Sequence, residues 1–542
     1  MTLRTASLQP RMVLQVALGA GTLALASSAL GAPRDQRLSY TDDTSTTMTV
    51  AWNTDADSPS EVKFGTSAGQ TTQTAAGTSH QAAGALGFVH EVTLKDLKPS
   101  TEYFYIAGSQ ADGYTPEKSF RTGPVKQESC GAFKFVYLGD NRPDPTFGGG
   151  ENWPQILGQS VAQQPAFALN GGDLVIEGDQ IDQWVDFLKW TSPVASSIPF
   201  MPSIGNHDTG PGEGDGANFN QIFALPRSSG THGSGTEDYY FFRYGNAIFV
   251  SLSTEGFSGG TPKFADQAAW LDEVLTNNPA RWKFVFYHKP TYTHEALFSI
   301  SHGPNESGQN AAWVPVFDKH HVDFVFTSHN HWYERFEPSA CATAGKADSN
   351  TACSMGATAF DKGTVYIVSG GAGAFTIPGM LCGSESGRAK CSGSHHYIIF
   401  DINNETLKMD TWGAAPQANE VIDSITVTKS AVTCTDPPDG GASDASSDDA
   451  AGGDAGADAA VQTDAAAGSG GAPGQGGAPG QGGGAQDASA AGGGAAGEPE
   501  ATPASGSSGG CGCRTVPHAS AVSAIAWLLI GAAGWLRARR RR

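Results

Sequence analysis

Five times between residues 133 and 335, an apolar run of strand character stops at a short cluster of residues able to hold a metal ion. Phe133–Leu138 runs into Gly139-Asp140-Asn141-Arg142, and Ala166–Leu169 leads to Gly172-Asp173-Leu174. Gly205-Asn206-His207-Asp208 comes next. Phe284–Tyr287 then ends at His288-Lys289-Pro290, and Val322–Thr327 at His329-Asn330-His331-Trp332-Tyr333-Glu334-Arg335. One Gly-Asp after a strand is an ordinary turn or cap, and one histidine is an ordinary core or surface residue. Five such clusters in one domain, all following strands, are not a chance assembly. Stretches with helical periodicity, Ile181–Leu188 and Gln267–Leu275, alternate with the strands, which makes residues 130–434 an α/β domain. The late strands Val365–Gly370, Tyr397–Ile402 and Leu407–Trp412 predict more than one sheet.

Residues 33–125 break into short strands separated by turn signals, among them Met48–Trp52, Ser60–Phe64 and Phe88–Leu94, which predicts an all-β sandwich. Within it, Leu97-Lys98-Pro99-Ser100-Thr101-Glu102-Tyr103-Phe104-Tyr105 resembles the tyrosine corner of fibronectin type III domains. There a Tyr hydroxyl bonds back to upstream backbone, and Trp52 fits as the core tryptophan. Residues 435–510 hold 22 glycines and eleven acidic residues, with no aromatic, Leu, Ile, Lys or Arg, and repeat GGAPGQ at 470–475 and 476–481. Such a segment cannot bury enough apolar surface to offset its ordering entropy, so it is expected to be a disordered, self-repelling stalk.

Both ends carry targeting patterns. Arg4 and Arg11 precede an apolar run, Met12–Leu30, that finishes in Ala29, Gly31 and Ala32, which predicts a secretory signal peptide over residues 1–32. Residues 511–542 hold Cys511-Gly512-Cys513, the apolar stretch Ala519–Leu536, and five arginines from Arg537 to Arg542. That predicts a minimal membrane span with its arginine end in the cytoplasm. The pattern resembles the C-terminal sorting tail of myxobacterial surface proteins, which implies a sorting protease acting near Cys511/Cys513 and retention at the cell surface or outer membrane. The whole chain carries a formal charge of −21, and residues 33–434 alone carry −18. Nucleic acid and anionic membrane surfaces, which select clustered Lys and Arg, are thereby excluded as ligands of the folded part.

The order Gly-Asp, Gly-Asp, Gly-Asn-His, His, His-x-His is similar to that of calcineurin-like metallophosphoesterases. The ending His331-Trp332-Tyr333-Glu334-Arg335, the β-rich domain in front, and the stretches Tyr239–Thr254, Arg281–Pro290 and Ser369–Ala374 resemble the purple acid phosphatase branch across residues 36–430. The resemblance implies a four-layer α/β/β/α sandwich with two metal ions (Fe, Zn or Mn) at strand ends between its sheets. It implies that Asp173 bridges the ions, with Asp140 and His331 completing one site and Asn206, His288 and His329 the other. It assigns His207 to catalysis, oriented by Asp208, and offers His294 or His302 as a substrate-facing histidine. Arg142, a permanent cation that cannot ligate a metal, is suited to fork two phosphoryl oxygens.

Two positions depart from the pattern. Ile176 stands where the purple branch has a ligand tyrosine, so no tyrosinate colour is expected. Arg142 stands where a related branch supplies a histidine. Of the cysteines outside the tail pair, six allow 15 connectivities. Sequence proximity favours Cys341–Cys353 and Cys382–Cys391, leaving Cys130 and Cys434 for each other, and export makes disulfides the expected state. The expected activity is hydrolysis of small phosphate monoesters by an exported dinuclear metalloenzyme. The rival readings are a phosphodiesterase on nucleotides or lipids and a non-catalytic surface adhesin with a vestigial metal domain.

Overall fold

The phenylalanines explain how two sheets come to face each other. In the computed structural model, Phe135 lies on the strand Ala132–Leu138 and stacks on Phe400 of the neighbouring strand His396–Asn403 (4.7 Å between ring centres). Across the interior it meets Phe249 and Phe284 edge-on, each at 5.0 Å. The structure describes residues 31–431, apart from 129, 144–151, 213, 215–216, 256–262 and 296–300. The signal segment, the stalk, Cys434 and the Cys511–Arg542 tail lie outside the described residues. Among those described, no helix is long and apolar enough to cross a membrane.

One sheet has six strands in the order Phe200–Pro202, Ala168–Asn170, Ala132–Leu138, His396–Asn403, Thr406–Gly413, Val421–Thr428. The other has seven, in the order Tyr240–Tyr244, Ala247–Ser251, Trp282–Phe286, Phe324–Thr327, Val365–Ser369, Tyr333–Phe336, Arg388–Ser392. Both are mixed: Ala132–Leu138 runs parallel to Ala168–Asn170 and antiparallel to His396–Asn403. Strand alternation sends Phe249, Phe284 and Phe326 into the space between the sheets. It sends Val250, Val285 and Val325 outward, where they join Trp270, Leu271, Trp313 and Phe317 of the helices Phe264–Asn277 and Asn310–His320. Helices Asn152–Val161 and Ile181–Ala195 cover the six-stranded sheet through Trp153, Ile156, Trp184 and Phe187. Phe135→Ala removes a ring from the middle of this interior. It is expected to lower unfolding free energy by about 3–5 kcal/mol, measured by denaturant titration.

In front stand a four-stranded and a five-stranded antiparallel sheet built from residues 34–121. Their core holds Trp52, whose ring stacks on His90 at 5.0 Å. Tyr103 Oη accepts a hydrogen bond from Lys98 N at 2.9 Å, five residues upstream. The front sheets are joined to the larger domain by buried polar contacts. Arg37 donates from Nε to Ile222 O (2.8 Å), and Tyr105 Oη donates to Ser196 O (2.8 Å). Disulfides link Cys341–Cys353 and Cys382–Cys391, and Cys130 is disulfide-bonded as well.

The helix Ile181–Ala195 extends well past the periodic stretch, and Asn152–Val161 and Asn310–His320 are added to it. Pro315 inside the last of these and Pro154 near the start of the first hide both helices from a periodicity argument.

Candidate metal centre

Parallel strands that end at one level deliver their next residues to one crevice. Asp140 lies two residues beyond Leu138, Asp173 three beyond Asn170, His288 two beyond Phe286 and His329 two beyond Thr327. The strand ends approach so closely that a Cβ on Gly139 would overlap Ser328 Oγ, and one on Gly172 would press on the Gly205 backbone N at 2.6 Å. Glycine at these Gly-Asp positions is therefore a steric requirement. Asp140, Asp173 and His329 adopt left-handed backbone at φ of +53°, +58° and +68°. Each costs about 1–3 kcal/mol for a residue with a Cβ, a strain that surrounding bonds must hold. Asp140 Oδ2 accepts from His329 N (2.8 Å), and Asp208 Oδ2 accepts from Asp173 N (2.8 Å).

All six expected ligands converge. His288 Nε2 lies 3.2 Å from Asp173 Oδ1, 3.0 Å from Asn206 Oδ1 and 3.1 Å from His329 Nδ1. His331 Nε2 lies 3.3 Å from Asp140 Oδ1. Backbone carbonyls decide which ring nitrogens face inward. His288 Nδ1–H donates to Gly171 O (2.9 Å) and His331 Nδ1–H to Phe375 O (2.7 Å), so each presents its Nε2 lone pair to the centre.

Such a set of acceptors fits cations. Asp140 Oδ1 is buried without a hydrogen-bond donor. Asp140, Asp173 and His331 bring ligand atoms within 4.8 Å of one another, and so do Asp173, His288 and His329. The two groups share Asp173, whose carboxylate has two oxygens to offer. Where no cation is held, protons take its place: burial works against charging His288, yet the Asp173 charge beside it pushes its pKa up to about 10. Cation binding is therefore expected to release protons, seen as a buffer-dependent heat of binding.

Around the ligands, the remaining residues divide. His207 Nδ1 is held by Ile176 O (2.6 Å), leaving Nε2 directed toward Asp173 Oδ2 at 3.9 Å. Arg142 Nε donates to the same Oδ2 at 3.3 Å. The expected pairing of Asp208 with the His207 ring needs correction. The Asp208 carboxylate is fully buried and accepts from the backbone N–H groups of Gly205, Asp173, Leu174 and Val175 (2.7–3.2 Å). It holds the two ligand loops together, because four converging amides outcompete a neighbouring side chain. His302 is brought in, its ring centre 3.8 Å from that of His329. His294 turns to Glu385 (3.5 Å) and to the Trp332 ring instead.

Sequence reasoning missed Glu306. Its Oε2 accepts from His329 Nε2 (3.2 Å) and lies 3.1 Å from His302 Nδ1. It fixes the tautomer that turns His329 Nδ1 inward, and the His329 interaction draws its own pKa down to about 2. The i,i+4 spacing from His302 was the available signal. Glu306→Ala is expected to weaken a divalent cation at the His288/His329 position by about 10–100-fold in a metal titration, with Glu306→Gln retaining part of that affinity.

Comparisons with known proteins agree with this geometry. Residues 33–122 match the family pattern described as the purple acid phosphatase N-terminal domain, and residues 133–333 match that of calcineurin-like phosphoesterases. The mouse protein named acid phosphatase type 7 is 29% identical over 330 residues, covering 56% of this chain and 71% of that one. An uncharacterised protein of Mycobacterium tuberculosis is 28% identical over 319 residues, covering 53% of this chain and 58% of that protein. The chain thus spans less than two thirds of that relative. The solved purple acid phosphatase from yellow lupin seeds superposes with a TM-score of 0.61 at 20% identity, over 73% of this chain and 74% of that one, which supports the fold. In sequence order, the chain thus carries a purple acid phosphatase N-terminal domain and a calcineurin-like phosphoesterase domain.

Proposed function

We propose that the protein is an exported, surface-tethered phosphatase that hydrolyses small phosphate monoesters with two metal ions. The observation that carries this is the pair of ligand groups sharing the buried Asp173. Asp140, Asp173 and His331 would hold one ion, and Asp173, Asn206, His288 and His329 the other. Such ions supply Lewis acidity toward phosphoryl oxygens and make water nucleophilic near neutral pH. The chain's own residues do the rest. His207, with Nδ1 held by a carbonyl and Nε2 open, is set to give a proton to the departing alkoxide. Arg142 can turn its guanidinium onto two phosphoryl oxygens, and His302 faces the same mouth. Asp208 keeps the loops of Asp173 and Asn206 in register. The charge of −18 over residues 33–434 favours small substrates over polyanions.

Export is supported by the basic and apolar pattern of residues 1–32, and tethering by the span and arginine cluster of residues 511–542. The full-length protein supplied with Zn, Mn or Fe should turn over p-nitrophenyl phosphate faster than bis-p-nitrophenyl phosphate. Faster diester turnover would move the assignment to a phosphodiesterase. Inertness toward both esters with every metal would end it.

A further inference from the structure

Arg142 places a protein cation on the carboxylate that both ligand groups need. Its Nε lies 3.3 Å from Asp173 Oδ2, and the two side chains are only 13% and 1% exposed, so solvent screens the pair little. The backbone holds this approach, since Arg142 N donates to Asp173 O at 3.1 Å. The two ion positions are otherwise unequal. On one side His288 Nε2 lies within 3.2 Å of Asp173 Oδ1, Asn206 Oδ1 and His329 Nδ1 alike. On the other, Asp140 and His331 stand beside the shared carboxylate, and the Ile176 side chain has no donor atom to add. An ion entering there meets a carboxylate already partly neutralised by a guanidinium, and a like charge close by.

We propose that Arg142 competes with the ion at the Asp140/His331 position for the Asp173 carboxylate, so that this ion binds second and more weakly than the ion at the His288/His329 position. The inference rests on the dinuclear reading above. It makes the working form of the protein depend on the ambient concentration of the second ion, while the first stays bound. When that ion does bind, it displaces the guanidinium from Asp173 and leaves it available for phosphate.

The full-length protein, stripped by chelation and titrated calorimetrically with Zn²⁺, tests this, with bound zinc counted at each free concentration. The wild type is expected to take two equivalents of separable affinity, and Asp140→Asn to lose only the weaker. Arg142→Gln and Arg142→Ala are each expected to tighten the weaker equivalent by about tenfold or more, the size of one removed like charge in a poorly screened site. The tighter equivalent should stay unchanged in both variants, which reports at the same time that they are folded. Two equal equivalents in the wild type, or a weaker equivalent unchanged or loosened in both variants, would overturn the competition. Absence of bound zinc in every form would instead overturn the dinuclear reading itself.

Discussion

Asp173→Asn is expected to cost at least about a thousandfold in kcat/KM toward p-nitrophenyl phosphate and to bring bound metal below one equivalent. The substitution keeps volume and an oxygen that can still accept from His207 N, now 3.1 Å from Asp173 Oδ1. What it removes is charge. A neutral amide cannot hold two cations at once, and His288, Arg142 and the ligand groups on either side all converge on this one carboxylate. A secondary consequence lies at Asp208, whose carboxyl is pushed up to about 7 by burial first and by the Asp173 charge second. With Asn at 173 the second cause disappears, and the Asp208 pKa should fall. Retained activity with two bound ions in Asp173→Asn would sink the proposed centre.

His207→Ala separates proton delivery from metal binding. His207 hydrogen-bonds Asp173 only through its backbone N–H, and its ring is held by Ile176 O with Nε2 3.9 Å from Asp173 Oδ2, so metal content should stay at the wild-type level. Turnover should fall by about 10²–10⁴-fold, the range for a lost general acid. The loss should be greatest for alkyl phosphates, whose alkoxide needs a proton to leave. It should be smallest for p-nitrophenyl phosphate, whose phenolate leaves without one. An equal loss on both substrates would assign the His207 ring to holding the phosphoryl group instead. Lost zinc would make it part of the ligand shell.

Much of this centre was legible in the chain because its signals are local. Asp140, Asp173, His288 and His329 each follow an apolar run within a few residues, so burial pattern and ligand type can be read together. The two β-rich and α/β segments were equally plain, since strand alternation and helical periodicity are short-range properties. The hydrogen bond at Tyr103 is local too: its Oη accepts from Lys98 N only five residues away. Helices containing Pro154 and Pro315 were not legible, because tertiary packing of Trp153 and Trp313 overrides a locally unfavourable residue.

The sequence by itself determined the ligand types, their order and the strands that carry them, all of which depend on neighbours a few residues apart. Only the tertiary structure decided what those residues face. The register of two sheets brings Asp140 to His331 across 191 positions. It draws Asp208 onto backbone amides in place of the His207 ring, sets Glu306 behind His329, and lays Arg142 on Asp173. These pairings are set by which strands lie side by side and by the left-handed turns at their ends. Those in turn are fixed by burial of the facing phenylalanines, a property of the assembled interior that no short stretch of chain contains.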